Sequence, residues 1–219
     1  MNSTLIMDGL TPPESPARFA AATRARRVDV VSDDEDAQLM LAYARGEMRA
    51  FENLYARHRS ALYRYLVRQS RDVETAHDLF QEVWSRVIVN RARYEPRAKF
   101  RTFLFTLAHN CFIDHCRRMK SRPAGMGIDD ADAADLLPSD PESLPEAELE
   151  RNETSLRYRA ALARLPQEQR DVYLLHEESD LSLEEIARVT GVGAETAKSR
   201  LRYAVGKLKA ALIVAEDMA

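Results

Sequence analysis

A group of hydrogen-bond donors near the C-terminus offers the clearest chemistry in the sequence. Lys and Arg side chains can donate to guanine N7 and O6, and Ser or Thr can donate to phosphates or to base edges. At helical spacing the donors share one arc, and an apolar stripe occupies the other. The sequence therefore predicts a helix that packs on its own domain and reads DNA through Thr196, Lys198, Ser199, Arg200, Arg202 and Tyr203.

The elements before this helix form a helix-turn-helix pattern. Ser182 and Glu185 have the spacing of a capping box, and a glycine turn at 190–193 leads into a last helix over roughly 194–213. Two helices are expected before the capping box. One covers roughly 153–164, and Pro166 can open the other. We expect a domain over 153–213 and a short tail at 214–219. The alternative is a three-helix cap whose polar face only contacts solvent.

Basic and aromatic residues also alternate around Pro96, which breaks the helical pattern. Charges that follow a nucleic-acid backbone, together with rings that stack on bases, are what binding of a single strand requires. The alternative is that Phe100 and Phe103 belong to the core. The full set is Arg91, Arg93, Tyr94, Arg97, Lys99, Phe100, Arg101 and Phe103.

Helical periodicity predicts a four-helix domain around this loop, over residues 32–119. Its first helix starts at the capping residue Ser32 and stops at Gly46. Short connections between the helices favour one compact unit. The other three helices are expected over roughly 47–69, 72–91 and 100–118.

Composition and charge indicate how the two domains are joined. The chain has 219 residues, of which 45% are hydrophobic and 31% charged, and its net charge is −3. Residues 37–122 are strongly basic, whereas 120–152 carry prolines and acids and are expected to form a flexible acidic linker. Residues 1–31 are expected to be a disordered tail. The predicted fold class is all-α, with two small helical domains joined by this linker.

Enzyme and metal chemistry find little support in the sequence. His109, Cys111, Asp114, His115 and Cys116 lie close together, but they match neither C-x-x-C nor H-E-x-x-H spacing. The two cysteines are expected in the core. No phosphate-binding glycine loop and no nucleophile elbow occur in the sequence. We expect no enzyme activity, no metal and no cofactor.

Cysteine content and the pattern of apolar residues indicate where the protein is located. Two cysteines make no disulfide framework, which indicates a reducing cytoplasm. No segment approaches the roughly 18 apolar residues of a membrane span, and the first residues lack a secretory signal. We expect a cytoplasmic protein with no membrane partner.

At these motifs the sequence resembles the extracytoplasmic-function (ECF) family of bacterial RNA polymerase sigma factors. Residues 165–172, 181–187 and 196–201 are similar to the family's region 4, which reads the minus-thirty-five promoter element. Residues 76–84 are similar to the segment of region 2 that docks on core RNA polymerase. Residues 100–110 are similar to the family's minus-ten recognition helix.

The resemblance implies a fold, partners and residue roles. It implies a sigma region 2-like four-helix domain and a sigma region 4-like helix-turn-helix domain. The implied partners are core RNA polymerase and promoter DNA, with an anti-sigma factor as a candidate regulator. Asp78, Gln81 and Glu82 would face the polymerase. The minus-ten strand would be contacted by Arg93, Tyr94, Lys99, Phe100 and Asn110.

The docking helix departs from the family pattern. The family commonly has Asp-Ala-Glu-Asp, whereas this sequence has Thr75, Ala76, His77 and Asp78. A phosphate on Thr75 would add about −1.5 to −2 charge near a helix N-terminus, where the dipole favours it. We therefore expect a Ser/Thr protein kinase to activate the chain at Thr75. The alternative is that Thr75 is merely tolerated and Glu74 supplies the charge.

Two other functions stay open on sequence alone. One is a helix-turn-helix transcriptional regulator that is not a polymerase subunit. The other is an adaptor that uses helix-turn-helix packing without touching DNA. Promoter-specific initiation with core polymerase would separate a sigma factor from both.

Overall fold

The computed structural model describes residues 34–121 and 145–216, with side chains of the second stretch described over 155–213. These residues form α-helices and one 3₁₀ turn at Arg91–Arg93, and no strand occurs within these ranges. The predicted all-α class is confirmed. The helices are α1 (Glu35–Ala44), α2 (Met48–Ser70), α3 (Val73–Val89), α4 (Phe100–Ser121), α5 (Pro145–Arg164), α6 (Gln167–Ser179), α7 (Leu183–Thr190) and α8 (Ala194–Glu216).

Two predicted boundaries differ from the structure. The tail at 1–31 and the predicted cap Ser32 lie outside the described residues, and Asp34 is the N-cap of α1. Its carboxylate accepts a bond from the Phe100 amide at 2.6 Å and so caps the start of α4 instead. The helix α5 begins at Pro145, within the linker predicted over 120–152. A proline and acids in a first turn favour that start.

The N-terminal domain, α1 to α4, is built around α2. The apolar face of α2 packs on α1, α3 and α4. On one side an aromatic group forms, in which the ring centroid of Tyr55 lies 5.0 Å from Trp84 and 6.1 Å from Phe80. Burying each large apolar side chain contributes about 1.5–3 kcal/mol. Fully buried members include Leu54, Leu62, Leu66, Val83, Leu104 and Phe105.

The C-terminal domain, α5 to α8, has the predicted helix-turn-helix. The Ser182 amide donates to Glu185 Oε2 at 2.8 Å and the Glu185 amide donates to Ser182 Oγ at 3.3 Å, so the capping box is confirmed. Gly191 has φ 70°, a conformation that a β-carbon disfavours. Ala197, Ala204 and Leu208 of the predicted stripe are buried. The turn and the stripe together fix the direction of α8.

The two domains pack against each other, α2 on α6 and α4 on α7. Gln69 of α2 donates from Nε2 to the carboxylate of Asp171 on α6, and Arg170 Nε donates to Gln69 Oε1 at 3.3 Å. All three side chains are buried. Burial raises the pKa of Asp171 to about 7, although the Gln69 bond and the Arg170 charge act in the opposite direction.

Asp171→Asn is expected to stabilise the protein at high pH and to change little in acid. Because the folded-state pKa of Asp171 is raised, its contribution to the free energy of unfolding is full below the ordinary value of 3.8 and is lost as pH rises through about 7. At pH 8 the wild type buries a charge and the variant does not. The melting temperature of the variant should exceed that of wild type by at least roughly 2–4 °C at pH 8. The excess should be smaller at pH 5 and vanish below the ordinary pKa of 3.8.

Glu177→Gln is the matched control, since Glu177 is an exposed acid of the same helix. Because the variant is compared with wild type at the same pH, the effects of other titrating groups on stability cancel. Burial lowers the pKa of His109 to about 4, so both proteins lose stability alike as pH falls from 6.5. A melting difference of equal size at pH 5 and pH 8 would contradict the role given to Asp171.

Candidate nucleic-acid interface

The polar arc of α8 is open to solvent at its N-terminal half. Thr196, Lys198 and Arg202 are exposed, and the Lys198 side chain keeps 66% of its surface. The Arg202 guanidinium lies over the Tyr203 ring, 5.2 Å from its centroid, and Tyr203 is 55% exposed. These four residues present donors and a ring on one surface, which suits insertion into a major groove.

Two of the predicted α8 donors are bound within their own domain. The Ser199 hydroxyl donates to the Thr196 carbonyl at 3.0 Å. Arg200 is half-buried and forms an ion pair with Glu168 at the start of α6. Arg200 therefore ties α8 to α6, a role that its place on the polar arc did not reveal.

The predicted minus-ten residues divide between core and surface. Phe100 is fully buried, so its ring cannot stack on a base in this conformation. Tyr94 is half-buried, with its ring centroid 5.2 Å from Phe103 and 6.3 Å from Phe100. Burial raises the pKa of Tyr94, and the charges of nearby acids raise it further. Arg93 and Asn110 are exposed.

An open cavity of about 620 Å³ lies beside this loop. Its walls combine arginine side chains with the rings of Tyr94 and Phe103, a lining that suits a negatively charged, partly apolar ligand such as a nucleotide base with its phosphate. Asn90 and Arg188 are among the lining residues that were not predicted. Arg188 belongs to α7 of the other domain, so no local pattern could have indicated it.

Two other basic residues of the predicted set, Lys99 and Arg101, contact the C-terminal domain. Lys99 Nζ lies 3.4 Å from Glu185 Oε1, and Thr102 Oγ1 donates to the same oxygen at 3.3 Å. Arg101 Nη1 donates to Asp180 Oδ2 at 2.9 Å and to the Ser179 carbonyl at 3.2 Å. Acids at the end of α6 and in α7 thus cover part of the predicted strand-binding surface.

The predicted polymerase-facing residues lie on one side of α3. Asp78 and Gln81 are exposed. Glu82 is half-buried and pairs with Arg86 and Arg118. These contacts leave Asp78 as the more accessible acid of the three predicted residues.

Thr75 lies half-buried in the first turn of α3. Its amide donates to the Asp72 carboxylate at 2.7 Å, and this bonding lowers the pKa of Asp72. An acid therefore already caps the helix next to the predicted phosphorylation site. The position combines a favourable helix dipole with an existing negative charge.

The histidine and cysteine cluster of α4 is divided between core and surface. Cys111 is buried and burial raises the pKa of its thiol to about 11. Across 34–121 and 155–213, no three His, Cys, Asp or Glu side chains are placed to hold a metal ion. None of the helices described is both long enough and apolar enough to cross a membrane.

Comparison with known proteins agrees with the two-domain arrangement. The family model "Sigma-70 region 2" matches residues 54–122, and "Sigma-70, region 4" matches residues 155–208. The chain is 33% identical to the ECF RNA polymerase sigma factor EcfG of Rhodopseudomonas palustris, over 72% of this chain and 83% of the relative. It is 31% identical to the RNA polymerase sigma factor CarQ of Myxococcus xanthus, over 75% and 90%.

Solved structures share the fold at 24% identity. The sigma factor RpoE in complex with the anti-sigma factor NepR from Bartonella quintana has a TM-score of 0.60, over 75% of this chain and 97% of that one. CnrH in complex with the cytosolic domain of CnrY has a TM-score of 0.59, over 83% and 99%. With both region models matched in order and relatives above 30% identity, the chain belongs to the ECF family of RNA polymerase sigma factors.

Proposed function

We propose that this sigma factor docks on core RNA polymerase through α3 and directs it to promoters through two DNA surfaces. The observation that carries the proposal is the exposed donor arc of α8, opposite a buried stripe, in a chain that also has a sigma-70 region 2 domain. The test is transcription in vitro: the purified chain added to core polymerase should give promoter-specific initiation. A separate helix-turn-helix regulator would not initiate by itself.

Lys198→Ala with Arg202→Ala is expected to weaken minus-thirty-five binding at least about tenfold. Losing a bidentate base contact costs about 1–3 kcal/mol, and losing a phosphate contact weakens binding to all sequences. The measurement is holoenzyme affinity for promoter fragments at moderate salt, because charge effects depend on salt.

Lys207→Ala with Lys209→Ala is the matched control for these α8 substitutions. Both lysines are exposed on the same helix but lie beyond the N-terminal half that enters a groove. The control should lose little affinity for the promoter. Equal losses in both double variants would show that α8 contributes charge and no base recognition.

Docking through α3 is proposed from its exposed polar side. Asp78→Arg should weaken core binding about fivefold or more, since like charges placed together at an interface are strongly unfavourable. Stability should change by less than about 0.5 kcal/mol because Asp78 is exposed. Core affinity is measured by competition with wild type for core polymerase, and stability is measured by a melting curve.

The control for docking is Glu52→Arg, the same charge reversal at an exposed position of α2. It should retain core affinity. If Asp78→Arg binds core polymerase as wild type does, α3 is not the docking surface.

Phosphorylation of Thr75 by a Ser/Thr kinase stays a prediction. Its place in the first turn of α3 supports it, since the dipole there favours added negative charge. Thr75→Ala should lose core affinity and reporter output, and Thr75→Glu should recover part of both. Ser85→Ala, at an exposed hydroxyl of the same helix, is the control. Full output from Thr75→Ala in cells would end the proposal.

An anti-sigma factor is proposed as a regulatory partner. The proposal is supported by the two structural neighbours, one of which is described as a complex with an anti-sigma factor and the other as a complex with a cytosolic domain. Co-purification with the chain would identify such a partner.

A further inference from the structure

One acid lies among the basic residues on the exposed face of α8. Among the α8 side chains that the structure describes, over 194–213, Glu195 is the one carboxylate. It belongs to the first turn of the helix, and its side chain keeps 90% of its surface exposed. The DNA contacts predicted for α8 are made by hydrogen-bond donors and one ring, so they leave this carboxylate without a role.

Helical geometry places Glu195 at the centre of the exposed face. At 3.6 residues per turn, Glu195, Ser199 and Gly206 fall within about 40° of each other around the helix axis. The buried residues Ala197 and Ala204 lie on the opposite side, about 160–180° away from Glu195. A recognition helix contacts base edges with its N-terminal residues. The Glu195 carboxylate would therefore face the bases of a bound groove, and the phosphates would lie to either side.

The neighbouring side chains leave this carboxylate able to accept a hydrogen bond from a base. The Ser199 hydroxyl donates to the Thr196 carbonyl and does not compete for Glu195. Lys198 Nζ lies 4.0 Å from Glu195 Oε1, a distance that is too long for a hydrogen bond. An ion pair at this exposure is weak and easily rearranged. The pair still brings an acceptor and a donor side by side in the part of α8 that enters a groove.

The major-groove edges of the four bases interact differently with a carboxylate. Cytosine presents its N4 amino group, which is a donor. Guanine presents N7 and O6 and thymine presents O4, all of them acceptors that repel a negative oxygen. Adenine presents its N6 amino group directly beside the N7 acceptor. Because a carboxylate only accepts hydrogen bonds, cytosine is the base that it favours.

Lys198 reinforces this preference. The guanine that pairs with cytosine presents N7 and O6, to which lysine donates. An acceptor and a donor held next to each other therefore match the edge of one G·C pair. The ammonium group also reduces the repulsion between the Glu195 carboxylate and the phosphates of the groove.

We propose that Glu195 is a specificity-determining residue of α8, which accepts a hydrogen bond from N4 of a cytosine in the minus-thirty-five element. This inference rests on the proposed function. Glu195 contributes little to total affinity, because the DNA backbone repels a carboxylate. It acts by discrimination, since guanine or thymine at the same position places acceptor against acceptor.

The test compares the base preferences of holoenzymes assembled with wild type, Glu195→Gln and Glu195→Ala. Promoter fragments randomised over the minus-thirty-five element are selected by binding and then sequenced. Wild type should prefer cytosine over thymine about tenfold at one position. Glutamine can donate as well as accept, and alanine makes no side-chain bond. Both variants should therefore reduce that preference to about twofold or less and keep the preferences at other positions.

A comparison of two proteins on two fragments isolates the contact. Wild type and Glu195→Ala are bound to fragments with cytosine or thymine at the selected position, at one salt concentration. The change to thymine replaces the N4 amino group by the O4 carbonyl. Wild type should lose about tenfold in affinity, and the variant less than about twofold. The variant should bind random-sequence DNA at least as tightly as wild type, because it has lost a negative charge.

The matched control is Glu184→Gln. Glu184 is also an exposed acid in the first turn of its helix, α7, the helix that crosses the DNA backbone in a helix-turn-helix. A first-turn acid stabilises its own helix through the dipole, so this variant and Glu195→Gln should lower the melting temperature by similar small amounts. The control should keep every base preference of wild type. Base preference therefore separates a DNA contact from a helix-stabilising role.

The selected sequences support or overturn the inference. Loss of a cytosine preference at one position in both Glu195 variants supports it when the control is unchanged. Unchanged preferences in either Glu195 variant overturn it. An equal loss at all positions overturns it too, and so does a loss confined to a base other than cytosine. If wild-type holoenzyme selects no minus-thirty-five element at all, the proposed function is contradicted, whereas identical selection by wild type and variants overturns this inference alone.

Discussion

One carboxylate, that of Glu185, joins the local geometry of the molecule to its long-range arrangement. Its Oε2 accepts from the Ser182 amide and closes the start of α7, while Oε1 lies 3.4 Å from Lys99 Nζ on the other domain. Burial by itself would raise the pKa of Glu185, but the Ser182 bonds and the Lys99 charge bring it below its usual value. The ionised carboxylate can therefore cap the eight-residue α7 and hold α4 against it at once.

Where the two domains pack together, one predicted DNA-binding surface stays exposed and part of the other is covered. The α8 helix packs chiefly on α5, α6 and α7 of its own domain, so its donor arc stays exposed. The surface around Lys99 and Arg101 is covered by the end of α6 and by α7. A helix-turn-helix can present a polar arc on α8 and an acidic face on α6 and α7 because helices expose different faces to different neighbours. The domain thus exposes the donor arc of α8 and contacts the loop with acids.

Sequence reasoning succeeded where the governing interaction is local. The capping box at Ser182 and Glu185, the turn at Gly191 and the stop at Gly46 each depend on a few consecutive residues. The pairs that join the domains, such as Gln69 with Asp171, lie about a hundred residues apart and leave no periodic signal. Phe100 illustrates the same limit, because a ring at a loop edge suits stacking or a core equally well until its neighbours are known.

The chemistry of the contact between the domains differs from that of the two apolar cores. Coulomb attraction between the domains is opposed by the desolvation of the same charges, and pairs with exposed members contribute about 0–1 kcal/mol each. Asp180, which is 87% exposed, belongs to that class. Inside each domain, by contrast, residues such as Phe105 and Ile186 are fully buried, and each contributes about 1.5–3 kcal/mol. The exposed ion pairs between the domains are therefore weaker than the packing inside each apolar core.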